Sequence, residues 1–113
     1  VESRAVAKYL KSTPRKARLV ADDVRGKMVG EALSYLEFGV KRDVSRDIAK
    51  VIKSAVANMQ SKHVDAAVDP EMLRVKEIRV DDGPTMKRFR ARAQGRVGRI
   101  LKRSCHISVI VSN

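Results

Sequence analysis

The chain has 113 residues, and its 25 Lys and Arg against 13 Asp and Glu give a formal net charge of +12. Such an excess repels itself unless a polyanion neutralises it, so nucleic acid is the first partner expected and an anionic membrane surface the second. No apolar run approaches the ~20 residues of a membrane span, and the first residues do not read as a basic, apolar secretory signal.

Residues 2–10 (ESRAVAKYL) read as a strand, with Ala5, Ala7 and Tyr9 on one face and Arg4 and Lys8 on the other; Val6 interrupts the pattern. Thr13-Pro14 then opens a helix, Thr13 as the cap and Pro14 at the first helical position, where its missing N–H costs nothing. Ala17, Val20, Ala21 and Val24 form its apolar stripe, with Arg15, Arg18, Asp22 and Arg25 opposite. Arg18 and Asp22 are spaced to pair, and Gly26 suits the helix stop. A short second helix is expected over about 30–38, with Ala32, Leu33 and Leu36 inward and Gly39 ending it. In the third helix Val44, Ile48, Val51, Ile52, Ala55 and Met59 recur at helical spacing. Asp43 is its expected cap, Arg46, Lys50 and Lys53 line its far side, and it should run to about Lys62. Residues 63–70 read as a loop.

Met72–Val80 and Ile100–Val111 read as strands. The first changes phase, because Leu73 and Val75 share one parity while Ile78 and Val80 share the other; a bulge would produce this, and so would a change in which face is buried as the strand leaves the domain. In the second, Leu101, Cys105, Ile107, Val109 and Val111 point one way and Lys102, His106 and Ser108 the other. Between the strands, residues 81–99 have no core pattern, and a compact domain seldom carries so long a structureless loop. The simplest reading is a hairpin over about 81–103 that outgrows the body, with Asp81-Asp82 as the turn at its base and an arm of roughly 35 Å at ~3.4 Å per residue. The whole, 1–113, reads as a single domain.

Charge singles out that arm. From Gly83 to Asn113 there is no acid, while Lys87, Arg88, Arg90, Arg92, Arg96, Arg99, Lys102 and Arg103 supply eight positive charges; residues 1–82 net only +4. A solvated surface mixes signs, so an all-positive segment points to phosphate. Arginine outnumbers lysine six to two, and its planar fork suits bidentate phosphate contacts and stacking on RNA bases. Arg15, Lys16 and Arg18 form a second candidate set, because the start of a helix already favours phosphate. Catalysis has no comparable support. Cys105 and His106 are strand neighbours and point to opposite faces, so Cys105 reads as a small core residue. As the only cysteine it forms no internal disulfide, which fits a reducing compartment. No phosphate loop, metal-ligand spacing or nucleophile motif is present, and neither a cofactor nor a metal is expected.

Several runs carry a family resemblance. Residues Ser12-Thr13-Pro14-Arg15-Lys16-Ala17-Arg18-Leu19-Val20 and Arg25-Gly26-Lys27 resemble the start of bacterial ribosomal large-subunit protein twenty-two. Ser54-Ala55-Val56-Ala57-Asn58 is similar to that family's third helix. Asp82-Gly83-Pro84, Met86-Lys87-Arg88, Arg92-Ala93, Gly95-Arg96 and Lys102-Arg103-Ser104-Cys105-His106-Ile107 are similar to its hairpin and last strand. Two departures are Ala91, where many relatives have proline, and Ser104-Cys105, where Thr-Ser is common. The resemblance implies an α+β fold, three helices packed on a three-stranded antiparallel sheet with a long protruding β-hairpin. It also implies binding to large-subunit ribosomal RNA, a part in assembly, and a hairpin lining the nascent-peptide exit tunnel. Implied partners are that RNA, neighbouring ribosomal proteins and the nascent peptide near the tip, in a cytoplasmic or organellar ribosome. The RNA contacts expected first are the eight arm residues, then Arg15, Lys16, Arg18, Arg25 and Lys27. A DNA-bending protein with basic ribbon arms is the alternative, though Ala91 is a poor wedge and only Phe89 a fair one.

Overall fold

The computed structural model describes residues 2–39, 42–62, 70–91 and 97–112. Its strands are β1 (Glu2–Leu10), β2 (Arg74–Asp82), β3 (Met86–Ala91), β4 (Val97–Lys102) and β5 (Cys105–Ser112). Its helices are α1 (Pro14–Val24), α2 (Val29–Glu37) and α3 (Arg42–Lys62), and Pro70–Met72 form a 3-10 turn. β1, β5 and β2 form an antiparallel sheet in that order, while β3 and β4 pair with each other as a separate ribbon. This is the expected architecture, and the ribbon draws the molecule out to 65 × 25 × 15 Å.

The helical stripes read from the sequence are the stripes that are buried. Ala17, Val20, Ala21 and Val24 of α1 and Val44, Ile48, Val51, Ile52, Ala55 and Met59 of α3 all lie in one core. They meet Val75, Ile78, Val80, Cys105, Ile107, Val109 and Val111 from the sheet. Burying each large aliphatic side chain contributes about 1.5–3 kcal/mol, so a core with almost no aromatic content still suffices. The sheet's other face is wetter, where Arg4, Glu77, Arg79, Ser108 and Ile110 border a shallow depression. One covered and one solvated face is usual for an antiparallel sheet.

Two bulges set the register. Val75 pairs with Val111 and Glu77 with Ile110, so Lys76 is the extra residue on β2. Of the two expected causes of the phase change the bulge is the one found, and it lets Leu73, Val75, Ile78 and Val80 all face the core. The second bulge lies in β1, between Ala7, opposite Ile107, and Leu10, opposite Cys105. It corrects the simple alternation. Tyr9 takes a φ of 59° and is 65% exposed, while Leu10 packs against the core.

Other boundaries shift for identifiable reasons. Ile100–Val111 is not one strand. Gly83 N–H donates to the Ser104 carbonyl and Ser104 Oγ–H donates to the Pro84 carbonyl, so the chain breaks at Arg103-Ser104 and the ribbon leaves the body there. Leu101 therefore belongs to the ribbon, opposite Lys87. A Cβ at Gly83 would collide with Ser104 Oγ, which accounts for glycine at this root. Asp81 and Asp82 are not a turn but the end of β2, opposite His106 and Cys105. Thr13 occupies the cap position of α1, yet its side chain makes no capping bond. Asp43 lies inside the first turn of α3, where a carboxylate still complements the dipole. Residues 63–69 of the expected loop lie outside the described residues.

Candidate nucleic-acid interface

β2 lies at one edge of the sheet, and an open edge invites unwanted pairing. Here the connector between α1 and α2 covers it. Gly26, in the left-handed region at φ 82°, donates its N–H to the Val75 carbonyl, Val75 N–H donates to Lys27, and Val29 N–H donates to Leu73. Beyond the connector, Arg18 of α1 and Arg25, which follows the helix as its C-terminal cap, continue the cover. Arg25 donates to the Ile78 carbonyl at 2.9 Å and Arg18 to the Val80 carbonyl at 3.3 Å.

Those contacts sort the expected body residues into two kinds. Arg18 also reaches Asp82 at 3.3 Å, and Arg25 reaches Asp22 at 2.6 Å. The pairing of Arg18 with Asp22 is thus replaced by two others, because the sheet edge draws Arg18 away from its own helix. Lys27 rests its ammonium 4.4 Å from the centre of the Tyr35 ring. The Tyr35 hydroxyl donates to Asp23 at 2.6 Å, and that hydrogen bond holds the phenol above its ordinary pKa. Arg18, Arg25 and Lys27 therefore each hold part of the fold together. Arg15 and Lys16 are exposed in the first turn of α1, with no side-chain hydrogen bond or ion pair among the described residues.

The arm's root adjoins that first turn. Pro14, Asp82, Gly83, Thr85, Arg103 and Ser104 border one cleft of about 210 Å³. Its carboxylate, Asp82, is answered by Arg18, so the bordering charge left over is that of Arg103. Lys102 and Arg103 are both exposed. Arg103 of the arm thus borders the same cleft as Pro14, the residue that opens α1. Along the ribbon, Lys87 stands opposite Leu101, Arg88 opposite Ile100, Arg90 opposite Gly98 and Arg99 opposite Phe89. Arg92 and Arg96 lie outside the described residues. On α3, Arg46 and Lys53 border a groove against α2, whereas Lys50 borders a different one against β1. These three do not form one patch with the arm.

Cys105 is buried, with its sulfur 3.4 Å from Ser12 Oγ. His106 faces the other way and accepts the Tyr9 N–H on Nδ1 at 3.0 Å. Among the described residues no three His, Cys, Asp or Glu side chains gather as metal ligands, and no helix is long and apolar enough to cross a membrane. Sequence reasoning missed the carbonyl-capping arginines and the placement of Tyr9. The seven-residue spacing of Arg18 and Arg25 was the available signal for the former.

Comparison with known proteins adds the biological frame. The family described as ribosomal protein L22p/L17e matches residues 5–112. A protein of Rubrobacter xylanophilus named large ribosomal subunit protein uL22 is 56% identical over 106 residues, 94% of this chain and 80% of its own length. Its namesake in Halothermothrix orenii is 52% identical over 112 residues, 99% of this chain and 96% of its own. One from Bifidobacterium animalis is 47% identical over 116 aligned positions.

Proposed function

Because the chain belongs to the ribosomal protein L22p/L17e family, whose role is structural and not enzymatic, we propose that it binds large-subunit ribosomal RNA through two joined surfaces. One is the basic ribbon, Lys87 to Arg103, which enters folded RNA and lines the nascent-peptide exit tunnel. The other is the first turn of α1, where Arg15 and Lys16 meet phosphate on the body. Arg18, Arg25 and Lys27 offer only what their internal contacts leave open. Neighbouring ribosomal proteins and, near the tip, the nascent peptide complete the partners.

One observation carries this reading. Within the acid-free segment, Lys87, Arg88, Arg90, Arg99 and Lys102 stand on β3 and β4, a ribbon whose strands pair with each other outside the three-stranded sheet. A two-stranded ribbon is marginally stable alone in water, so its form makes sense where something surrounds it. Phosphate does so while neutralising its charge. The proximity of Arg103 to α1's first turn lets one stretch of RNA touch arm and body together.

Ultraviolet crosslinking in growing cells, followed by sequencing of the attached RNA, tests the proposal. The reads should concentrate in a few segments of large-subunit ribosomal RNA. Reads spread over cellular RNAs in proportion to abundance would refute specific binding.

A further inference from the structure

Tyr9 is placed where folding alone gives little reason for a tyrosine. Its φ of 59° makes it the only non-glycine among the described residues in the left-handed region, which glycine, asparagine and aspartate enter far more readily. The residue is 65% exposed, so burial does not offset that cost. Yet its position is fixed. The backbone N–H donates to His106 Nδ1 at 3.0 Å, and the ring meets the imidazole edge to face, centroids 4.9 Å apart at 87°. Strained backbone held by specific contacts is characteristic of functional positions.

The surroundings state what would use such a ring. Lys8 and Lys11 flank it and are exposed. His106 follows Cys105 at the start of β5, and its ring packs beside Gly83 at the arm's root. We infer that Tyr9, held by His106, is a stacking platform for an unpaired RNA base at the junction of body and arm. Lys8 and Lys11 would hold the phosphates on either side of that base. Base stacking on an exposed aromatic ring tolerates any sequence and combines readily with such flanking cations. This inference rests on the RNA-binding reading above.

The test compares a 12-nucleotide oligoadenylate with heparin, a polyanion that has no bases. Tyr9→Asn removes the ring while suiting the left-handed backbone, so the variant should fold with an unchanged or raised thermal midpoint. Tyr9→Trp keeps a ring and, in a chain with no other tryptophan, supplies a fluorescent reporter. Tyr9→Asn should bind oligoadenylate ~5- to ~150-fold more weakly than the parent chain, the range for losing one stacked base. Its affinity for heparin should be unchanged. Tyr9→Trp should retain affinity, with emission quenched by oligoadenylate and not by heparin. If the parent binds oligoadenylate and Tyr9→Asn binds it equally well, or loses as much on heparin, the platform is overturned and the RNA-binding reading stands. If the parent binds no RNA, both fall.

Discussion

Affinity of the purified chain for large-subunit ribosomal RNA should fall by ~10³-fold or more between 50 and 200 mM monovalent salt. Each phosphate neutralised by a fixed cation releases condensed counterions, and added salt opposes that release in proportion to the number of contacts. Eight positive charges with no acid stand between Gly83 and Asn113, and even six of them in contact produce this loss. The body contributes less, because Arg18 and Arg25 already answer Asp82, Asp22 and two carbonyls. Changing Arg88 and Arg99 to glutamine should therefore lower the slope of log affinity against log salt by about two. A nearly flat plot for the parent chain would remove phosphate neutralisation as the source of affinity.

Body and arm charges should have separable roles in the subunit. Association begins with the prefolded body, since a ribbon that is marginal by itself must be ordered before it contributes free energy. Reversing Arg15 and Lys16 together to glutamate should weaken incorporation into large subunits by roughly tenfold per residue, with little change in thermal midpoint. These two are the informative pair because both are exposed and take no part in covering the sheet edge. Arg18→Glu would mislead, because it sets a carboxylate against Asp82 and the Val80 carbonyl and so disturbs the fold itself. Reversing Arg88 and Arg92 should leave occupancy more nearly intact and, with the arm at the tunnel wall as proposed, alter instead the stalling of particular nascent chains. Occupancy of each variant in purified subunits, read beside a stalling assay, decides the matter. Equal exclusion of both variants would make the arm an assembly anchor and end the division of labour.

The parts of the fold that were legible are those governed by local period. The spacing of Val44, Ile48, Ile52 and Met59 locates α3, and the parity change between Val75 and Ile78 marks the phase shift in β2, because burial enforces one face; the pairing with β5 makes that shift a bulge. The break between β4 and β5 was hidden. Leu101 and Cys105 keep the same parity across Arg103-Ser104, and only the bonds to Gly83 and Pro84 interrupt the strand. The charge of the arm is written in composition and needs no geometry. The work of Arg18 and Arg25 is not, because their carbonyl partners lie 62 and 53 residues away. Tyr9 misleads for a related reason. Its alternation with Ala5 and Ala7 reads as inward, and the one extra residue that turns it outward shows only in the pairing with β5.

Electron cryomicroscopy of large subunits purified with this chain in place observes directly what surrounds the arm. Density should show RNA on more than one side of residues 87–103, the tip reaching the wall of the nascent-peptide tunnel, and phosphates beside Arg15 and Lys16. An arm lying on the subunit surface in solvent, or packed wholly against other proteins, would contradict the RNA-binding reading.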